Sequence, residues 1–125
     1  MASSQTRPAK ERALRKAPED CQTMAEVRAG VDELDRQLVA LLAERFRFMD
    51  AAARIKPQRA QVRDEARKQQ VIENAGRTAE SLGLGAGIAM DFWEALVEAS
   101  IGYEMREWER RHAQKQATVP QPSGR

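Results

Sequence analysis

The stretch TMAEVRAGVDELDRQLVALLAERFRFMDAAARIK, Thr23 to Lys56, decides the fold. Apolar residues recur at steps of three and four: Met24, Val27, Val31, Leu34, Leu38, Leu41, then Phe48, Ala52 and Ile55. That spacing describes one buried stripe along one long amphipathic helix, and no strand-type alternation competes with it. Position 45, where the stripe calls for another apolar residue, holds Arg45. Thr23 and Glu26 stand at capping-box spacing. Pro57 ends the helix, because it has no N–H to donate and disfavours helix in the residue before it.

A helix of this span extends roughly 50 Å. A compact chain of 125 residues has a radius of gyration of only about 14 Å. The helix therefore overshoots any globule its own chain can build, and a second copy of the same helix is the most economical cover for its stripe. A homodimer is expected.

Outward from this stretch, the chain reads as a single all-α domain of three helices, the first much the longest, with flanks outside it. Residues 1–19 carry five basic and two acidic side chains and little to bury, which suits a flexible basic tail better than a transit peptide. Residues 20–112 form the helical domain. After a connector at Pro57–Gln61, a second helix spans about Arg63 to Leu82, with Ala66, Val71, Ile72, Ala75, Ala79 and Leu82 as its apolar face. Asp64 suits its start and Gly83 its end. The third runs from about Ile88 to Arg111. It carries Ile88, Phe92, Leu96, Ala99 and Tyr103 on one face and Trp93, Val97, Ile101 and Trp108 alongside, enough for burial on more than one side. Residues 113–125 read as a disordered tail.

Composition narrows the function classes. Lys plus Arg number 21 against 19 Asp plus Glu, and the signs are interleaved, so no continuous basic stripe for nucleic acid exists despite a pI near 9.0. No apolar run reaches membrane-spanning length and no secretory core is visible, so the default location is cytoplasmic. The one cysteine, Cys21, allows no internal disulfide and has no neighbour to activate it. There is no Gly-rich phosphate loop and no Cys/His metal set, so neither a metal nor a cofactor is expected. The only histidine, His112, near the end of the third helix, reads as a surface residue.

Arg45 requires a partner, since an unpaired buried guanidinium is costly. Periodicity alone favours an interhelical salt bridge; an anion site within the bundle is the sharper alternative. Lys56 lies eleven residues on, within about 20° of the same helical face and about 16 Å along the axis. The two long side chains can flank one small dianion. Arg28 is about 26 Å from Arg45 along the axis. In an antiparallel dimer, however, Arg28 of one copy can reach the other copy's pocket.

LDRQLVALLAER (34–45), with Arg28 before it and Ile55–Lys56 after it, and VRDEARKQQVIENA (62–75) together resemble the all-helical, AroQ-class chorismate mutase family. APEDC (17–21) and MREW (105–108) are more similar to a subfamily that includes isochorismate–pyruvate lyases. The resemblance covers about residues 20–110. It implies an intertwined homodimer of three-helix subunits with two active sites, binding a small dicarboxylate such as chorismate. It further implies that Arg28 crosses to the other subunit's site and that Arg45 holds a substrate carboxylate. Lys56 would reach the breaking ether oxygen and a carboxylate. Asp64, Arg67 and Ser100 would match family residues at the site, and Glu104 would hydrogen-bond the ether oxygen.

Two departures from the family pattern stand out. Glu104 replaces the glutamine of most bacterial members, and it can donate a hydrogen bond only when protonated, unless it serves instead in a structural ion pair. Lys68 stands where many mutases have a glutamate that contacts the substrate's ring hydroxyl. Rearrangement of chorismate to prephenate is the leading expectation, because Ser100 and Asp64 agree with mutases better than with lyases. Elimination of pyruvate from isochorismate, rearrangement of 4-amino-4-deoxychorismate and a plain helical dimerisation module are the alternatives. The rearrangement needs no nucleophile, metal or proton transfer, only a held conformer and stabilised charge at the ether oxygen.

Overall fold

A computed structural model describes residues 15–118, with side chains to Lys115. The described elements are helical: a 3₁₀ turn at Pro18–Asp20, α1 at Met24–Ile55, a second 3₁₀ turn at Arg59–Gln61, α2 at Glu65–Ser81 and α3 at Ala86–Thr118. The all-α, three-helix expectation holds. Among the described residues no helix is long and apolar enough to cross a membrane. Two compact units divide the chain between Glu44 and Arg45.

In the first unit, the start of α1 is fixed as its sequence predicts. The Glu26 N–H donates to Thr23 Oγ1 (3.1 Å), and the Thr23 N–H donates to Glu26 Oε1 (3.2 Å), a reciprocal capping box. The Gln22 N–H and the Lys16 ammonium also converge on Glu26 and hold its carboxyl down at about 2. Lys16 and the 3₁₀ turn thus belong to ordered backbone, although the sequence assigns them to a flexible tail; the remainder of that tail, residues 1–14, lies outside the described residues. The apolar stripe is present but bare. Met24, Val27, Val31, Leu34, Leu38 and Leu41 are all exposed.

The second unit holds the core, made of Ala53, Val62, Ile72, Ala79, Ala89 and Val97. The Asp64 carboxylate caps α2 by accepting from the Arg67 N–H (3.0 Å). Gly83 adopts φ +84° after the end of α2, the left-handed conformation that glycine enters without steric cost. Helices α2 and α3 pack closely where Gly76 leaves room for Met90. The Tyr103 hydroxyl donates to Asp50 (2.6 Å), and its ring meets Phe46 edge-on at 5.1 Å, joining α3 to the last turns of α1.

Three sequence expectations change here. Leu82, Ile88 and Phe92, placed on buried faces by their spacing, are exposed, Phe92 at 67 %. The row beside them, Ala89, Val97, Ser100 and Glu104, is the buried one. Helix α3 also continues to Thr118, past the predicted end at Arg111. The segment AQKQA consists of good helix formers, and nothing in it breaks a helix before Pro120.

Ion pairs join the connector and α2 to α3. Arg63 meets Glu98 at 2.8 Å, and Lys68 meets both Glu94 (2.8 Å) and Glu98 (2.6 Å). Hydrogen bonds from Arg63 and then Lys68 hold the Glu98 carboxyl at about 2. A depressed acid stabilises the fold above its unfolded pKa, and that contribution disappears as pH falls through the folded value. Glu98→Gln is therefore expected to lower the melting temperature near pH 6, with the difference from wild type closing by about pH 2, measured by thermal denaturation across that range. A gap that stays constant to pH 2 contradicts this assignment.

Candidate active site

The second unit encloses a cavity of about 390 Å³ between the end of α1, the start of α2 and the middle of α3. It gathers Arg45, Lys56, Asp64, Arg67, Lys68, Ser100 and Glu104. Six of the seven residues expected at the site thus share one cavity, together with Lys68. Arg28 lies in the first unit, exposed on the first half of α1, and is not a lining residue.

Arg45 donates from Nη1 to Ser100 Oγ at 2.7 Å, and Ser100 Oγ donates in turn to the Leu96 carbonyl at 2.7 Å. Ser100 sits on α3 with its hydroxyl committed on both sides, so it acts as a clamp on the guanidinium. No carboxylate of the described residues bridges Arg45, so the interhelical salt bridge favoured by periodicity is not what holds it. Burial, and then the like charge of Arg67, push the Arg45 pKa downward. Both effects describe a cation that lacks a counter-charge.

Lys56 does form the interhelical ion pair. Its ammonium lies 2.8 Å from Glu104 Oε2, and Glu104 is only 4 % exposed. Oε2 nevertheless has no hydrogen-bond partner: the pair is close, but the ammonium is not aimed along a lone pair. Glu104 therefore enters the structural ion pair that the sequence kept as its alternative role, at a position that also lines the cavity. The Trp108 indole N–H donates to the Lys56 carbonyl at 3.0 Å and fixes the residue that follows α1.

Asp64 and Arg67 flank the cavity, but Asp64 is engaged in capping α2, and the Arg67 guanidinium donates to Gln70 (2.6 Å). Lys68 is held by Glu94 and Glu98, whose hydrogen bonds raise its pKa. His112, read as a surface residue, instead stacks on Trp108 with ring centroids 3.5 Å apart. Cys21 is a free thiol in the first unit. Among the described residues no group of three or more His, Cys, Asp or Glu side chains could hold a metal ion. Sequence reasoning missed Trp108 as a support of Lys56 and the apolar walls made by Val71, Val97 and Ile101. Val71 lies one helical turn from Arg67 and Lys68, Val97 one turn from Ser100 and Ile101 one turn from Glu104, a spacing that could have revealed them.

The cavity is cationic, walled by apolar residues and set in an all-helical fold. The chain belongs to the chorismate mutase type II family, whose model matches residues 27–105. It is also 28 % identical over 93 residues to a Pseudomonas aeruginosa protein named isochorismate pyruvate lyase, across 74 % of this chain and 92 % of that one.

Replacing Arg45 by lysine keeps the charge but removes the planar fork, which can hold Ser100 and still present a second pair of donors to the cavity. Steady-state rates of Arg45→Lys are expected to fall about a hundredfold or more, the usual effect of losing one preorganised donor, with little change in melting temperature. A rate within about twofold of wild type would contradict a role for the guanidinium.

Proposed function

We propose that this protein is a chorismate mutase, acting as an antiparallel homodimer in which Arg28 of each copy completes the cavity of the other. Arg45, a partly buried guanidinium with no carboxylate opposite it, carries this reading. Such a group calls for an anionic ligand, and chorismate supplies two carboxylates.

In this scheme Arg45, held by Ser100, binds one carboxylate, and Arg28 of the other copy binds the second. Lys56 turns from Glu104 to the ether oxygen, where negative charge grows as the C–O bond breaks. Glu104, protonated, donates to the same oxygen. Apolar walls exclude water and favour the compact, chair-like conformer. One σ bond forms as another breaks within a single molecule, so the residues supply position and charge only. The bare stripe on α1 supports the dimer, since monomeric proteins rarely expose continuous apolar surface on this scale.

Isochorismate–pyruvate elimination is the second reading, favoured by the name and coverage of the Pseudomonas aeruginosa relative. That reaction is also pericyclic and makes similar charge demands. Within the resemblance Ser100 points to the mutase. Asp64 discriminates less, because capping α2 accounts for it.

Incubating the purified protein separately with chorismate and isochorismate distinguishes the readings. The expected result is loss of enol-ether absorbance with chorismate and no salicylate fluorescence with isochorismate. Salicylate formation without turnover of chorismate would establish the lyase, and no reaction with either compound would overturn both readings.

A further inference from the structure

A second cleft, of about 590 Å³, opens beside the end of α1. It is lined by Arg54, Lys56, Arg111, His112 and Lys115, and by no acidic residue. The Lys56 ammonium is directed to Glu104, and neighbouring Arg59 is paired with Glu109 at 2.8 Å. Arg54 and Arg111 are less well matched. No ion pair or hydrogen bond engages the Arg54 side chain among the described residues. Arg111 Nε is buried without a hydrogen-bond partner; its nearest carboxylate, Glu107, is 3.4 Å away and also pairs with Arg110. The carbonyl end of α1 adds about half a negative charge, which is too little to balance two full positive ones. This cleft favours an anion.

The same chain displays a matching one. The turn Pro18–Asp20 presents Glu19 and Asp20, both exposed and without an ion pair among the described residues. Nearby Lys16 is drawn to Glu26 instead. The turn is preformed, with the Asp20 N–H on the Ala17 carbonyl (3.0 Å) and the Cys21 N–H on the Pro18 carbonyl (3.2 Å), so docking it costs little ordering.

We propose that the acidic turn of one copy docks in the basic cleft of the second copy, Glu19 and Asp20 facing Arg54 and Arg111. The contact rests on the antiparallel dimer proposed above, and the register of that dimer places it. Arg28 of one copy faces the span from Arg45 to Lys56 of the other. Antiparallel pairing moves the two chains in opposite directions. Residues eight or nine places before Arg28 therefore lie eight or nine places beyond that span's limits, roughly at positions 53–65. Arg54 and the cleft's rim at Ala53–Pro57 fall inside that window. Two-fold symmetry makes the contact twice per dimer. The docked turn also closes the end of α1 next to Lys56, which lines both cavities.

Sedimentation velocity over a concentration series tests the contact, with circular dichroism to verify folding. The double variant Glu19→Lys/Asp20→Lys is expected to weaken the dimer about tenfold or more at low salt, and Arg54→Glu/Arg111→Glu to do the same. Combining all four substitutions restores most of the affinity, and high salt reduces the differences. A wild-type protein that stays monomeric at every concentration overturns the dimer and this contact with it. A dimer whose affinity ignores the charge reversals, or in which the two defects simply add, overturns the contact and leaves the dimer standing. Inorganic phosphate provides a further arm. If it raises the melting temperature of wild type but not of Arg54→Glu/Arg111→Glu, while neither charge reversal changes the dimer, the cleft is a free-anion site and the proposal falls.

Discussion

A guanidinium set into an apolar stripe is the constraint from which the rest follows. Arg45 occupies a position that the periodicity of α1 reserves for a hydrophobic residue, and among the described residues its guanidinium hydrogen-bonds a neutral hydroxyl. Partial burial denies it full hydration, and Arg67 adds repulsion. A stability-minded sequence would place leucine there, or a carboxylate opposite. The arrangement suits a cavity that takes up an anion, as the proposed reaction requires.

The other charges around the cavity divide the work. Lys68 stands close to Arg45 and Arg67, yet Glu94 and Glu98 bind it so firmly that it adds little net field. Lys56 has a single acid partner, Glu104, in an ion pair that is close but poorly aligned. An incoming carboxylate can displace such a pair more easily than the doubly anchored Lys68. The cavity cations without firm carboxylates among the described residues, Arg45, Arg67 and Lys56, are the ones open to a ligand, whereas Lys68 serves the packing of α2 on α3.

Much of this was legible in the sequence, and the losses have physical causes. Helix starts were readable because capping is local: Thr23 with Glu26, and Asp64 with the Arg67 N–H, act within one turn. The cavity residues were reached through a family resemblance, since spacing alone relates Arg45 to Lys56 on one helix but says nothing of Ser100 on another. Periodicity misjudged Phe92 and Ile88 because it reports that a face is apolar, not what covers it. The partner of Arg45 was misjudged for a related reason. A buried cation advertises a need for compensation, and only tertiary structure reveals whether the protein itself meets it.

Rearrangement and pyruvate elimination place nearly the same demand on the cationic groups, so charge at Arg45 and Lys56 cannot be what separates them. Selection has to occur at the ring, where the two substrates carry their hydroxyl at different positions. The family resemblance puts Lys68 at the position facing that ring hydroxyl, and its ammonium already faces two carboxylates within 2.8 Å. A glutamate there would accept a hydrogen bond from a ring hydroxyl, whereas a doubly engaged lysine offers no acceptor and few free donors. Under the proposed function, substrate choice would therefore fall mainly to shape, set by the apolar walls Val71, Val97 and Ile101. Shape discriminates less sharply than a buried hydrogen bond. That physical limit is a reason for one cavity of this design to accept more than one enol-ether dicarboxylate.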